Sequence, residues 1–154
     1  MLQLNLPQYN FNVKKRGEKY VILDSQRKRY VALTPEEWVR QHFIRFLTEE
    51  KGYPPALLSV EHQLEVNGMK RRCDAVLFGR DAQAQLILEF KAPDIPVSQA
   101  VFDQVAVYNS KLKVDYFMLS NGMEHYACRI DLATAQYKFL PGIPDYSFFS
   151  AISV

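Results

Sequence analysis

The sequence predicts an α/β domain, a mixed β-sheet flanked by α-helices, and three observations carry that expectation. Two amphipathic helical segments, 35–51 and 99–111, alternate with strand-like runs instead of clustering. Leu86-Ile87-Leu88 is apolar at consecutive positions, as in a strand covered on both faces. The stretch 84–120 reads strand–helix–strand and has the length of a right-handed crossover between parallel strands. At 154 residues the chain is one domain's worth, expected to span 1–154 with a basic N-terminal hairpin (1–33), a core (34–140) and a C-terminal tail (141–154).

The elements follow in order. YVILD at 20–24 and KRYVA at 28–32 read as two strands around a polar turn. Thr34-Pro35-Glu36-Glu37 is a helix start: Thr34 suits the N-cap, Pro35 the first turn, and Glu37 the far side of a capping box. Trp38, Val39, Phe43, Phe46 and Leu47 follow at helical spacing, and Gly52 with Pro54-Pro55 ends the helix. LLSVEHQLEV at 57–66 alternates imperfectly, Asn67-Gly68 is a hairpin turn, and KRRCDAVLF at 70–78 returns. A turn at Gly79-Arg80-Asp81 leads to the strand AQLILEFK at 84–91. Ser98 is the expected cap of the second helix, with Val101, Val105, Tyr108 and Leu112 on one face. VDYFMLS at 114–120 and EHYACRID at 124–131 form a strand pair around Asn121-Gly122, and an aromatic tail from Pro141 should pack loosely over the body.

Composition narrows the function classes. Hydrophobic residues are 48% and charged residues 23%, which excludes a disordered or fibrous chain. No apolar run is long enough for a transmembrane helix, and MLQLNLPQYNF lacks the pattern of a signal peptide, so no membrane and a cytoplasmic location are expected. Cys73 and Cys128 have no metal-ligand spacing and read as reduced thiols. Residues 1–30 carry seven bases and two acids, the rest 12 bases and 15 acids. A basic ribbon with Lys14, Lys15 and Arg16 on an acidic body is either a phosphate-facing surface or a solvated hairpin.

The feature that carries chemistry is Asp74 with Glu89-Phe90-Lys91. Two antiparallel strands joined at 79–81 can set Asp74 and Glu89 side by side, and Glu89 and Lys91, two apart, share a face. Ionisable groups inside an apolar strand are costly unless paired or bound to metal. A carboxylate pair with a lysine can hold Mg²⁺ and position a water. The plain alternative is a strand-end aspartate and a salt-bridged edge. Gln104 and Tyr108, i and i+4, put polar groups on the apolar face of the second helix, where the glutamine either serves the site or bonds a strand backbone. Glu36 falls at the edge of the first helix's apolar stripe, with Arg40 one turn on, and either faces the carboxylates or stabilises the helix N-terminus.

Asp74, Glu89-Phe90-Lys91 and Gln104-x-x-x-Tyr108 together resemble the PD-(D/E)xK nuclease superfamily in its Q-x-x-x-Y branch. TPEEWVRQ at 34–41, GYP at 52–54, RRCDAVLF at 71–78, LILEFKAP at 86–93 and SNG at 120–122 resemble the N-terminal nuclease domain of type I restriction enzyme motor subunits. Cys73 stands where the name-giving proline would be. The resemblance implies a restriction-endonuclease-like fold and a Mg²⁺-dependent DNA endonuclease, with Mn²⁺ able to substitute. It implies Asp74, Glu89 and the Phe90 carbonyl as metal ligands. Lys91 would act on the attacking water or the phosphate, Gln104 would orient the site, Tyr108 would support it, and Glu36 would be an outer ligand. It also implies DNA as partner, beside a separate helicase or restriction-complex subunit or a second copy of the chain. The other function class it allows is a catalytically weak nucleic-acid-binding or assembly module. No GxxxxGK[ST] loop occurs, so translocation of DNA is not expected of this chain alone.

Overall fold

A computed structural model of the chain describes residues 2–151. Helix α1 (Pro35–Glu50) starts where the sequence places it: the Thr34 hydroxyl accepts the Glu37 amide at 3.0 Å, and Pro35 fills the first turn. Glu37 does not close the capping box. Its carboxylate instead turns to Arg27, Arg40 and Gln41. The buried stripe Val39, Phe43, Ile44 and Leu47 packs on the sheet.

The main sheet has six strands: β4 (Leu58–Val66), β5 (Met69–Phe78), β6 (Ala84–Phe90), β7 (Tyr116–Ser120), β8 (His125–Asp131) and β9 (Gln136–Phe139). They lie side by side in chain order. β6 and β7 pair in parallel, and the other neighbours are antiparallel. Helix α2 (Gln99–Leu112) makes the β6–β7 connection. Alternation along the central strand sorts the core into two layers: Leu86, Leu88 and Phe90 pack with α1, and Ile87 packs with Val101, Val105 and Tyr108 of α2. By the same alternation Glu89 is directed to the α2 face.

Besides the capping box, four expectations differ from the structure. The N-terminal hairpin is a three-stranded antiparallel sheet, because VKKR at Val13–Arg16 (β1) pairs with β2 (Lys19–Asp24), which pairs with β3 (Arg29–Ala32). β1 is exposed along its whole length, so no hydrophobic alternation announced it. Ser98 stands at the N-cap position of α2 as expected, but its side chain makes no capping hydrogen bond. A further strand, β9, follows β8, where the sequence has no tight-turn dipeptide. The tail is anchored, not loose. Phe149, on a short helix α3 (Tyr146–Ser150), is buried against Tyr53 and Tyr116, and Tyr53 donates to the Pro144 carbonyl at 2.8 Å. The expected tail residues 152–154 lie outside the described residues. The arm before β1 docks through Leu4, packed against Gly122, whose φ of +86° and close approach admit no side chain without strain.

A charged network ties the small sheet to the large one. Arg27, in the β2–β3 turn, bonds Asp24, reaches Glu37 at 2.6 Å and Glu61 on β4 at 3.1 Å. Asp24 and Glu37 are nearly solvent-free. Removing one member of a buried ion set strands the others, which costs about 3–5 kcal/mol. Arg27→Ala should therefore lower unfolding stability by about that amount in urea, while Lys28→Ala next to it stays within about 0.5 kcal/mol. A loss below about 1 kcal/mol for Arg27→Ala would show the network to be solvated.

Candidate active site

The site begins where β5 and β6 part. Their ladder runs from Phe78–Ala84 to Ala75–Leu88, and the next pair, Asp74 and Glu89, does not join it. Side chains replace the missing backbone bonds. The Asp74 amide donates to Glu89 Oε1 at 3.0 Å, and the Phe90 amide donates to Asp74 Oδ2 at 2.7 Å. Each carboxylate thus satisfies a backbone donor of the opposite strand. β4 opens at the same point: Glu61, opposite Asp74, leaves the ladder with φ +52°. Beyond this break Cys73 packs on the α2 layer, although Ala75 packs on the α1 layer.

From the α2 side a relay closes on the fork. Lys91 follows β6, its amide held by the Ser120 carbonyl. Lys91 Nζ donates to Gln104 Oε1 at 3.1 Å, Gln104 Nε2 donates to Tyr108 OH at 2.9 Å, and that hydroxyl donates to the Arg72 carbonyl at 3.1 Å. Because Tyr108 spends its proton on Arg72, it can only accept from Gln104, which turns the amide oxygen towards the lysine. From the α1 side, Arg40 lies 3.6 Å from Asp74 Oδ1 and bonds Glu37 through two nitrogens at 2.8 and 3.0 Å.

Burial and like charge set the protonation of the fork. Burial, then the neighbouring Asp74 charge, push the Glu89 carboxyl up to about 9. Burial also raises Asp74, against the pull of the Phe90 amide, Arg40 and Lys91. Both carboxyls are shifted upward, so the pair favours sharing a proton over carrying two charges. Glu36 is raised by burial and by the Asp74 charge, with Lys91 and Arg40 opposing, so its carboxylate shares the field of the fork. Burial would raise Glu37, but hydrogen bonds from Arg40 and Arg27 hold it below its ordinary value. Burial and the Glu89 charge push the Cys73 thiol up to about 12, leaving it a protonated filler beside the fork.

The structure therefore brings together Asp74, Glu89, Lys91, Gln104 and Tyr108, with Glu36 nearby. The Phe90 side chain points into the α1 layer, and only its backbone belongs to the fork. Lys14, Lys15 and Arg16 lie apart, on the exposed edge strand β1. Lys14 sits 4.0 Å over the Tyr30 ring, and an open groove of about 630 Å³ runs from Arg16, Arg29 and Tyr30 to Glu36, Arg40 and Glu61. Sequence reasoning missed Glu61 and Arg27. The imperfect alternation of LLSVEHQLEV was the available signal for Glu61; nothing marked Arg27 within its polar turn. Among the described residues no three His, Cys, Asp or Glu side chains converge as a ready-made metal cage. Among them, too, no helix is long and apolar enough to cross a membrane.

Comparison with known proteins places this geometry in a family. Residues 35–144 match the sequence profile of the type I restriction enzyme R protein N terminus (HSDR_N). No curated protein matches the chain in sequence. Among solved structures it is similar to a fragment of an HsdR subunit of a type I restriction enzyme from Vibrio vulnificus YJ016, at 21% identity and a TM-score of 0.56. That match covers 77% of this chain and 25% of the other, so the chain spans about a quarter of the fragment's length, and the likeness shows the fold alone. A DUF820 protein from Anabaena variabilis ATCC 29413 matches at 10% identity over 92% of this chain and 89% of the other, and its TM-score of 0.49 carries no argument. The fold is a mixed α/β sheet flanked by helices, similar to that of the HsdR fragment, and with the profile spanning most of its length the chain belongs to the type I restriction enzyme R protein N-terminal family.

Proposed function

We propose that the chain is a Mg²⁺-dependent DNA endonuclease domain that hydrolyses phosphodiester bonds in restriction or related DNA processing. The observation that carries this reading is the fork: the half-buried Asp74 and the buried Glu89 carboxylates facing each other, with a lysine held on the same face by Gln104. The donor set fits Mg²⁺. This ion is usually held by one or two carboxylates, with waters and substrate phosphates completing its shell, so a full protein cage is not required. Asp74 and Glu89 would hold it, with the Phe90 carbonyl as third ligand and Glu36 outside. Bound there, the ion supplies charge neutralisation at the phosphate and lowers the pKa of a water.

The chain's own residues supply the rest. Gln104 fixes the Lys91 ammonium, which orients the attacking water or bonds the phosphate oxygen as charge develops. Tyr108 fixes Gln104. Arg40 holds Asp74 from the other side and keeps a positive charge beside the pair. Lys14, Lys15 and Arg16 would meet DNA phosphates at the far end of the groove. We place the protein in the cytoplasm, where two buried free thiols stay reduced, acting with a DNA-translocating restriction subunit.

Three outcomes follow from this reading. Lys91→Ala should abolish metal-dependent cleavage of supercoiled plasmid, with an unchanged circular dichroism spectrum. Cleavage equal to wild type would move the active site elsewhere.

Asp74→Asn keeps an oxygen for the Phe90 amide and removes one charge, so in EDTA it should melt above wild type where the pH is high enough for both wild-type carboxylates to carry charge. The sign with pH is fixed. The folded-state pKa of Glu89 is raised, so its contribution is complete below about 4.5 and lost as pH rises towards about 9. The advantage of Asp74→Asn should therefore grow across that window. At about 5 mM Mg²⁺ and a Kd near 1 mM, wild type should gain about 1 kcal/mol, a rise of about 2–4 °C, and Asp74→Asn little of it. A variant that melts lower in EDTA and keeps the full Mg²⁺ gain would make Asp74 structural.

Neutralising Lys14, Lys15 and Arg16 together should weaken DNA binding across all sequences. It should also flatten the salt dependence by about 0.9 log unit per log salt for each phosphate no longer neutralised. An unchanged slope would return β1 to a solvated edge.

A further inference from the structure

We propose that the β4–β5 hairpin is a second DNA-binding arm, which holds the duplex backbone beside the scissile phosphate through Lys70, Arg71 and Arg72. Its place next to the cut rests on the nuclease reading above; its binding of DNA does not.

The arm is defined by where pairing stops. β4 and β5 pair from His62–Cys73 out to Val66–Met69, but β5 joins β6 only from Ala75 inward. The outer half is thus a two-stranded ribbon standing beyond the sheet, turned at Asn67 and Gly68, both at positive φ. Such a ribbon is marginal alone. This one is fixed at its base, where Leu64 packs with the α2 layer and Tyr108 bonds the Arg72 carbonyl. The side chains of residues 69–72 are exposed, including Met69 at the tip.

Charge singles the ribbon out. Residues 31–154 carry 12 bases and 15 acids; without Lys70, Arg71 and Arg72, nine bases would face those 15 acids. The ribbon's own acid, Glu65, lies across from Lys70. Three consecutive cations on an otherwise acidic body form a local positive field, as a polyanion requires.

Geometry connects that field to the fork. Arg72 and Asp74 are two apart on β5, and Arg72 Nη1 lies 3.6 Å from Glu61, which lines the groove to the N-terminal sheet. At about 3.4 Å per residue, Arg72 and Lys70 stand about 7 and 14 Å along the strand from Asp74. For a ribbon laid along the duplex axis, at about 3.4 Å per nucleotide on each strand, those distances would correspond to about two and four nucleotides from the cut. The groove that leads to β1 and the base of the ribbon thus meet at Glu61, next to the fork.

The test is anisotropy of a labelled 20-base-pair duplex in EDTA across a salt series, beside plasmid cleavage with Mg²⁺. The triple variant Lys70→Ala/Arg71→Ala/Arg72→Ala should bind at least about tenfold more weakly, with a log–log salt slope smaller by about 2–3. Its melting temperature should be unchanged, and cleavage should fall with binding. Should the triple variant not fold, Lys70→Glu alone, at an exposed position, should still weaken binding several-fold. Wild-type affinity and slope in the variants would overturn the arm, as would a wild-type protein that binds no duplex. Ribbon-dependent binding without cleavage by any metal would overturn the nuclease reading and leave the arm. Full cleavage by the triple variant would do the reverse.

Discussion

The structure depends on the fork between β5 and β6. Two neighbouring strands stop exchanging backbone bonds at one residue pair, and the carboxylates of that pair take the amides left over. An open ladder inside a sheet leaves buried donors that must find partners. Here the partners are acidic side chains, so satisfying the backbone and assembling the site are one event. The cost is two like groups brought together largely out of water, which raises both carboxyls and favours a shared proton over two charges.

The surroundings hold this arrangement in place. Leu86, Ile87, Leu88 and Phe90 are fully buried and fix β6 between the helices. Each such side chain contributes roughly 1.5–3 kcal/mol, enough together to offset a strained polar site. The parallel pairing with β7 continues to Phe90–Ser120, past the point where β5 lets go, so the strand end that bears Glu89 stays rigid. On the other side Arg40 joins Asp74 to Glu37 and Glu61, and Arg27 joins that group to the N-terminal sheet. The small sheet is therefore part of the site's support as well as a basic surface.

Much of this was legible in the sequence, for physical reasons. Ionisable residues within LILEF have few tolerable uses in a central strand, and Gln104 and Tyr108 stand out on a face that is otherwise apolar. Both signals survive because burial makes polar groups expensive. Exposed segments gave no such signal. β1 has no buried face, and Arg27 looks like any turn residue until the fold closes Glu37 and Glu61 around it. The capping-box expectation failed because the buried Arg40 and the half-buried Arg27 hold the Glu37 carboxylate more strongly than the Thr34 amide could. The loose tail failed because aromatic residues after a proline-rich turn can still find a pocket, here beside Tyr53 and Tyr116.

The central claim is that the fork is a metal site and not merely a way of ending a ladder. Anomalous scattering from crystals grown with Mn²⁺ addresses it directly, because the ion's position is read without reference to activity. The account requires a peak within coordination distance of both Asp74 and Glu89, with the Asp74 amide–Glu89 bond or the Phe90 amide–Asp74 bond lengthened where an oxygen has turned to the ion. A fork without a peak at saturating Mn²⁺, with both bonds as they stand in the metal-free protein, would contradict it.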